Sequence, residues 1–135
     1  RKPAFVLWSP DGKYFSIVRS DNRKVKDLWV INNIADPRPT LETYKYQMPG
    51  EKEAPVRELY VFNFEAKTNK KIRLSRFKDQ EVGLWPAPPL QKNRDDENRA
   101  SIWLGTNDKF YLNITSRDLK RIDICEVNVA GDTAV

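Results

Sequence analysis

Short strand-like segments separated by polar turns run through the whole sequence, and helical periodicity is nearly absent. The segments are rich in β-branched and aromatic residues, and several alternate in polarity with a period of two, which is typical of half-buried strands. Few windows show the apolar spacing of an amphipathic helix. The pattern therefore predicts an all-β chain. The predicted strands cover residues 4–8, 14–19, 40–46, 58–64, 71–74, 100–104, 110–115 and 122–127.

Two parts of the chain repeat the same arrangement. WSPDGKYFSIV (8–18) aligns without gaps with LGTNDKFYLNI (104–114): each has a large apolar residue, a polar turn, a lysine, two aromatics and an apolar strand. LYVFNFEAKTNKK (59–71) aligns similarly with IDICEVNVAGDTA (122–134). Each unit then holds four antiparallel strands, a repeat that is typical of β-propeller blades. A β-sandwich with similar hairpins fits the same pattern.

The two units differ in the connection between their second and third strands. In the second unit this connection is short, whereas in the first it takes up residues 20–56. A connection of that length in a compact domain is usually functional or carries structure of its own, and this one contains the strand-like segments DLWVINNI (27–34) and TLETYKY (40–46). We therefore predict a blade over 1–77 with an extended arm inserted at 20–56, and a second blade, truncated at its end, over 78–135.

Three aromatic residues of the arm are candidates for an interface. Trp29, Tyr44 and Tyr46 belong to the residue types that are enriched where proteins meet. The alternative is that they pack on the blade beneath them. The sequence does not separate the two possibilities.

The composition excludes several kinds of site. The chain has no histidine and a single cysteine, Cys125, so it cannot build a Ser-His-Asp or Cys-His centre, a His-ligated metal site or an intrachain disulfide. We expect no catalytic residue, no cofactor and no metal site, and we expect Cys125 to be a buried free thiol.

The charge and hydropathy limit the partners. The net charge is +5, but acids interrupt the lysines and arginines, and no unbroken basic block is longer than a pair. This favours a solvated basic surface over a nucleic-acid partner. No apolar run approaches the roughly 18 residues that a membrane helix requires.

Four segments in a fixed order resemble a known family: FVLWSPDGKYFSIVRSD, RPTLETYKYQMPGE, ELYVFNF and KFYLNITSRDLKRIDICEV. They resemble the N-terminal propeller of the dipeptidyl peptidase IV branch of the prolyl oligopeptidase family, in the form found in bacterial members. The similarity extends over essentially the whole chain. RPTLETYKYQMPGE is its specific part, because WSPDG occurs in many propellers.

The resemblance implies that the chain is about two blades of a longer protein, a serine exopeptidase that removes N-terminal dipeptides, often after proline. The chain has no Gly-x-Ser-x-Gly elbow, so the triad is expected in a C-terminal α/β-hydrolase domain of the same parent chain. The chain itself would be noncatalytic and would shape access of the peptide substrate. The resemblance also implies a homodimer through the arm and a periplasmic or cell-envelope location. The alternative is a non-enzymatic protein-interaction module.

Overall fold

The computed structural model describes residues 5–84, 102–104 and 106–135, and within these ranges it confirms the all-β prediction. The described residues form three sheets, with strand orders β1-β2-β5-β6, β3-β4 and β7-β8-β9. The strands are β1 (Leu7–Trp8), β2 (Tyr14–Asp21), β3 (Asp27–Asn32), β4 (Thr40–Lys45), β5 (Val56–Asn63), β6 (Thr68–Ile72), β7 (Glu81–Gly83), β8 (Lys109–Thr115) and β9 (Ile122–Asn128).

One predicted strand, at 100–104, is wrong in its described part. Ile102, Trp103 and Leu104 lie in a turn, and the strand that pairs with β8 is β7, with Val82 opposite Ile114. Burial explains Ile102 and Trp103 instead, which are 6% and 0% exposed, whereas Leu104 is 70% exposed. Residues 100 and 101 lie outside the described residues.

The four-stranded sheet has one buried face and one half-exposed face. Leu59 and Val61 of β5 are buried, while the alternating residues Tyr60 and Phe62 point to the other side, as a period of two predicted. The half-exposed face carries a ladder of aromatic rings. Trp8 lies 4.8 Å from Phe15, and Phe15 stacks on Phe62 at 4.8 Å, measured between ring centroids.

The three-stranded sheet places its buried face against the first sheet. Phe110 and Leu112 of β8 lie opposite Val127 and Cys125 of β9, and all four join the core cluster that includes Leu59. The predicted burial of Cys125 is confirmed, and its thiol is free.

Burial tests the two alignments of the repeat. Aligning 8–18 with 104–114 places buried Ser16 over buried Leu112, so this alignment agrees with the structure. Aligning 59–71 with 122–134 places buried Leu59 over Ile122, which is 63% exposed. The second alignment is therefore out of register, because a shift by an odd number of residues turns a strand's apolar side to solvent.

Residues 20–56 form a compact unit of their own, separate from the unit made of 1–19 and 57–135. Its centre is the antiparallel hairpin β3–β4, whose register runs from Asp27 opposite Lys45 to Asn32 opposite Thr40. Val25 is its buried apolar residue, at 1% exposure. An ion pair of 3.1 Å between Lys26 Nζ and Glu51 Oε1 joins the two ends of this unit.

Candidate functional site

The hairpin β3–β4 separates the three aromatics that the sequence singles out. Trp29 lies opposite Thr43, and Tyr44 lies opposite Leu28. Because cross-strand partners share a face and neighbours along a strand do not, Trp29 lies on one face and Tyr44 on the other. Tyr46 is two residues beyond Tyr44 and shares its side. The structure therefore gives two surfaces where the sequence suggested one.

The first surface, which we call the Trp29 face, consists of Trp29, Ile31 and Leu41. Ile31 and Leu41 are direct cross-strand partners. The three side chains are 72%, 64% and 65% exposed. An ion pair of 2.9 Å between Asp27 and Lys45 closes one end of this face. The sequence analysis missed Ile31 and Leu41, although the run of apolar residues on both faces of 28–31 is a signal that could have found them.

The second surface, which we call the Tyr44 face, consists of Tyr44, Tyr46 and Glu42, and it is more polar than the Trp29 face. The Tyr44 hydroxyl donates a hydrogen bond to Glu42 Oε2, and Asn32 Nδ2 donates to Glu42 Oε1 at 3.1 Å. Tyr44 and Tyr46 are each about half exposed. Two hydrogen bonds to one carboxylate fix the edge of this surface, so it presents aromatic area with a polar border.

A two-stranded hairpin has no second layer to cover its apolar side chains, and in isolation it is marginally stable at best. Contiguous exposed apolar residues on such an element are typical of an interaction surface. The Trp29 face is the stronger candidate of the two, because it exposes more apolar area and contains no hydrogen-bonded polar group between its three side chains.

Two turns share one hydrogen-bond pattern, although their sequences differ: SPDGKY at 9–14 and SRDLKR at 116–121. In both, the serine Oγ donates to the aspartate two residues on, at 2.6 Å in the first turn and 2.7 Å in the second. The same Oγ accepts the backbone N–H that closes the turn, at 3.0 Å in each. The serine hydrogen bond, followed by the lysine N–H, lowers the pKa of Asp11 and of Asp118 below its ordinary value.

The fourth position of both turns has a left-handed backbone. Gly12 has a φ of 70°, and Leu119 has a φ of 60°. The sequence analysis did not single out 116–121 as a turn, since leucine stands where glycine is the usual signal.

The described parts of the chain contain neither a metal-ligand cluster nor a membrane-spanning helix. Within them, no group of three or more His, Cys, Asp or Glu side chains is placed to hold a metal ion. None of the described residues forms a helix that is long and apolar enough to cross a membrane.

Comparison with known proteins identifies the fold. The structure is similar to a provisionally assigned dipeptidyl aminopeptidase IV from Bacteroides ovatus ATCC 8483 (TM-score 0.67, 15% identity) and to dipeptidyl peptidase 4 from Porphyromonas gingivalis (TM-score 0.67, 19% identity). In each case the match covers 96% of this chain and 16% of the other chain. No curated protein matches the sequence significantly.

A family model described as the dipeptidyl peptidase IV N-terminal region matches residues 2–135. This match and the two structures support the propeller over the sandwich that the sequence left open. The four-stranded sheet β1-β2-β5-β6 has the arrangement of a propeller blade. The chain therefore belongs to the dipeptidyl peptidase IV N-terminal region family.

Proposed function

We propose that this chain is a noncatalytic segment of the propeller of a serine exopeptidase that removes dipeptides from peptide N-termini. The observation that carries the proposal is the family match over residues 2–135 in a chain that contains no histidine. A Ser-His-Asp centre needs a histidine, so the hydrolytic chemistry belongs to a C-terminal α/β-hydrolase domain of the same parent protein. The chain shapes the access of the peptide substrate to that domain.

The reading frame of the whole gene and an activity assay test this proposal together. We expect a Gly-x-Ser-x-Gly motif downstream, followed by an aspartate and a histidine. We expect the full-length protein to release product from a glycyl-prolyl anilide, and the isolated chain to release none. A reading frame that lacks the Gly-x-Ser-x-Gly motif would favour the alternative, a non-enzymatic protein-interaction module. Turnover that follows the isolated chain through purification would contradict the noncatalytic role.

The domain boundaries belong to the same proposal. Residues 1–77, without the arm at 20–56, make one blade, and residues 78–135 begin the next. The support for the second blade is that the three-stranded sheet β7-β8-β9 continues beyond β9. Val135 exchanges two backbone hydrogen bonds of 2.9 Å with Glu126 of β9. This is the edge of β9 that corresponds to the position of β6 beside β5.

The arm has a separate role in the proposal, as the contact between two copies of the parent protein. Its support is the exposed apolar area of the Trp29 face, which a second copy would remove from water. Interfaces are enriched in aromatic anchors of this kind, and tryptophan is one of the residue types enriched among the few that dominate their energetics.

Sedimentation of the full-length protein tests which face is used. We expect Trp29→Ala to weaken association. Val30→Ala is the matched control, since Val30 is the next residue on the opposite face and is 41% exposed. A larger effect of Tyr44→Ala than of Trp29→Ala would assign the contact to the Tyr44 face. No effect of any of the three substitutions would remove the arm from the contact.

A further inference from the structure

A groove of about 870 Å³ lies between two loops of the unit that contains both sheets. One loop connects β6 to β7, and the other is the 116–121 turn between β8 and β9. We call this the basic groove. Its lining carries five cations and two carboxylates: Arg76, Lys78, Asp79, Arg117, Asp118, Lys120 and Arg121, together with Phe77 and Ser116.

Both loops are fixed by side-chain hydrogen bonds to the backbone. Gln80 Oε1 accepts the backbone N–H groups of Arg76 at 3.0 Å and of Phe77 at 2.8 Å. On the other side, Ser116 and Asp118 hold the second turn as described above. Gln80 and Ser116 are buried. The groove is therefore built on anchored loops, which reduces the ordering that a ligand would have to impose.

The charges of the groove are only partly compensated. Arg117 pairs with Asp79 at 3.5 Å, and Arg76 pairs with Asp123 at 3.5 Å. Asp118 accepts hydrogen bonds from Ser116 and from the Lys120 backbone, and the nearby Arg121 adds to the lowering of its pKa. The ammonium groups of Lys78 and Lys120 remain, and neither makes an ion pair with any residue that the structure describes.

We propose that the basic groove binds an acidic peptide segment, with carboxylates placed on Lys78 and Lys120. The charge complementarity fits an acidic ligand because the lining carries five cations and only two carboxylates. The one aromatic side chain in the lining, Phe77, packs against the core, so it offers no free ring for base stacking.

Fluorescence anisotropy of fluorescein-labelled hexaglutamate with the full-length protein tests the proposal. We expect binding at low salt that weakens as salt is added. The double variant Lys78→Gln/Lys120→Gln should bind about fivefold more weakly, since two exposed charge contacts are lost. Lys24→Gln/Lys52→Gln is the matched control, because it removes the same charge from two exposed lysines outside the groove, and it should bind like the unaltered protein.

Three outcomes would overturn the proposal: no binding of hexaglutamate, equal weakening in both double variants, or equally tight binding of a single-stranded hexanucleotide. The peptidase assay with a neutral glycyl-prolyl anilide separates this inference from the proposed function. We expect both double variants to keep that activity.

Discussion

Gly12 is the position where the structure allows the cost of a single side chain to be worked out most directly. Its φ of 70° lies in the left-handed region, where a β-carbon costs about 1–2 kcal/mol. A β-carbon placed on Gly12 meets no atom within 4 Å, so a substitution there produces backbone strain without a steric clash. Removing glycine also lowers the entropy of the unfolded chain, which offsets about 0.4–1 kcal/mol of the strain.

The net destabilisation is therefore about 0.5–1 kcal/mol for Gly12→Ala. It is about 1 kcal/mol or more for Gly12→Val, because a β-branched residue tolerates this region least. With a urea m-value of about 2 kcal/mol/M, the valine variant should lower the unfolding midpoint by about 0.5 M. Circular dichroism during a urea titration measures this shift.

Gly131→Ala is the matched control. Gly131 has no positive φ, and its added β-carbon would make ordinary contacts of 3.5 Å and longer. We expect the midpoint of this variant to stay unchanged or to rise slightly. An unchanged midpoint for Gly12→Val, or an equal fall for Gly131→Ala, would refute the strain argument.

Three further predictions follow from the packing and the electrostatics. Trp103→Ala should lower the free energy of unfolding by about 3–5 kcal/mol, measured by the same urea titration, because removing a fully buried indole leaves a large cavity. A loss below about 1 kcal/mol would contradict this packing. The pKa of Asp118 is lower in the folded chain than its ordinary value of 3.8, so the ionised carboxylate stabilises the fold at pH values above 3.8. This contribution is lost as the pH falls through the lower pKa of the folded state. Asp118→Asn should thus flatten the fall in thermal midpoint below pH 4; equal pH profiles of Asp118→Asn and the unaltered chain would exclude this role. The isolated chain should self-associate through its half-exposed aromatic face, where Trp8 is 44% exposed, and Trp8→Ser should weaken this in sedimentation; a strictly monomeric chain at high concentration would contradict it.

Local sequence signals predicted the features that depend on neighbouring residues. The period-two alternation placed Leu59 and Val61 on one side of β5, which the structure buries, and the Ser-Pro-Asp-Gly sequence indicated the turn that Gly12 forms. Both signals act within a few residues, so a single sequence carries them completely. The family resemblance, which rested on longer ordered segments, is confirmed by the match over 2–135.

Signals that depend on pairing were misread. The apolar run ending in Trp103 and Leu104 was predicted to be a strand, but burial and strand pairing produce the same local composition. The turn at 116–121 was missed because Leu119 occupies a left-handed backbone position that composition alone assigns to glycine. The backbone N–H groups of Lys120 and Arg121 donate to Asp118 Oδ1 and to Ser116 Oγ, and these hydrogen bonds hold that backbone in place.

The sequence by itself determined that this chain is built from strands, where the turn at 9–12 lies, and that it holds no histidine-based chemistry. Only the tertiary structure decided that Trp29 and Tyr44 lie on opposite faces, because this depends on the register between β3 and β4. Only the tertiary structure brought Lys78 and Lys120 to one groove, from loops about 40 residues apart in sequence. Register and loop proximity are set by long-range contacts, and no short window of sequence contains both partners of such a contact.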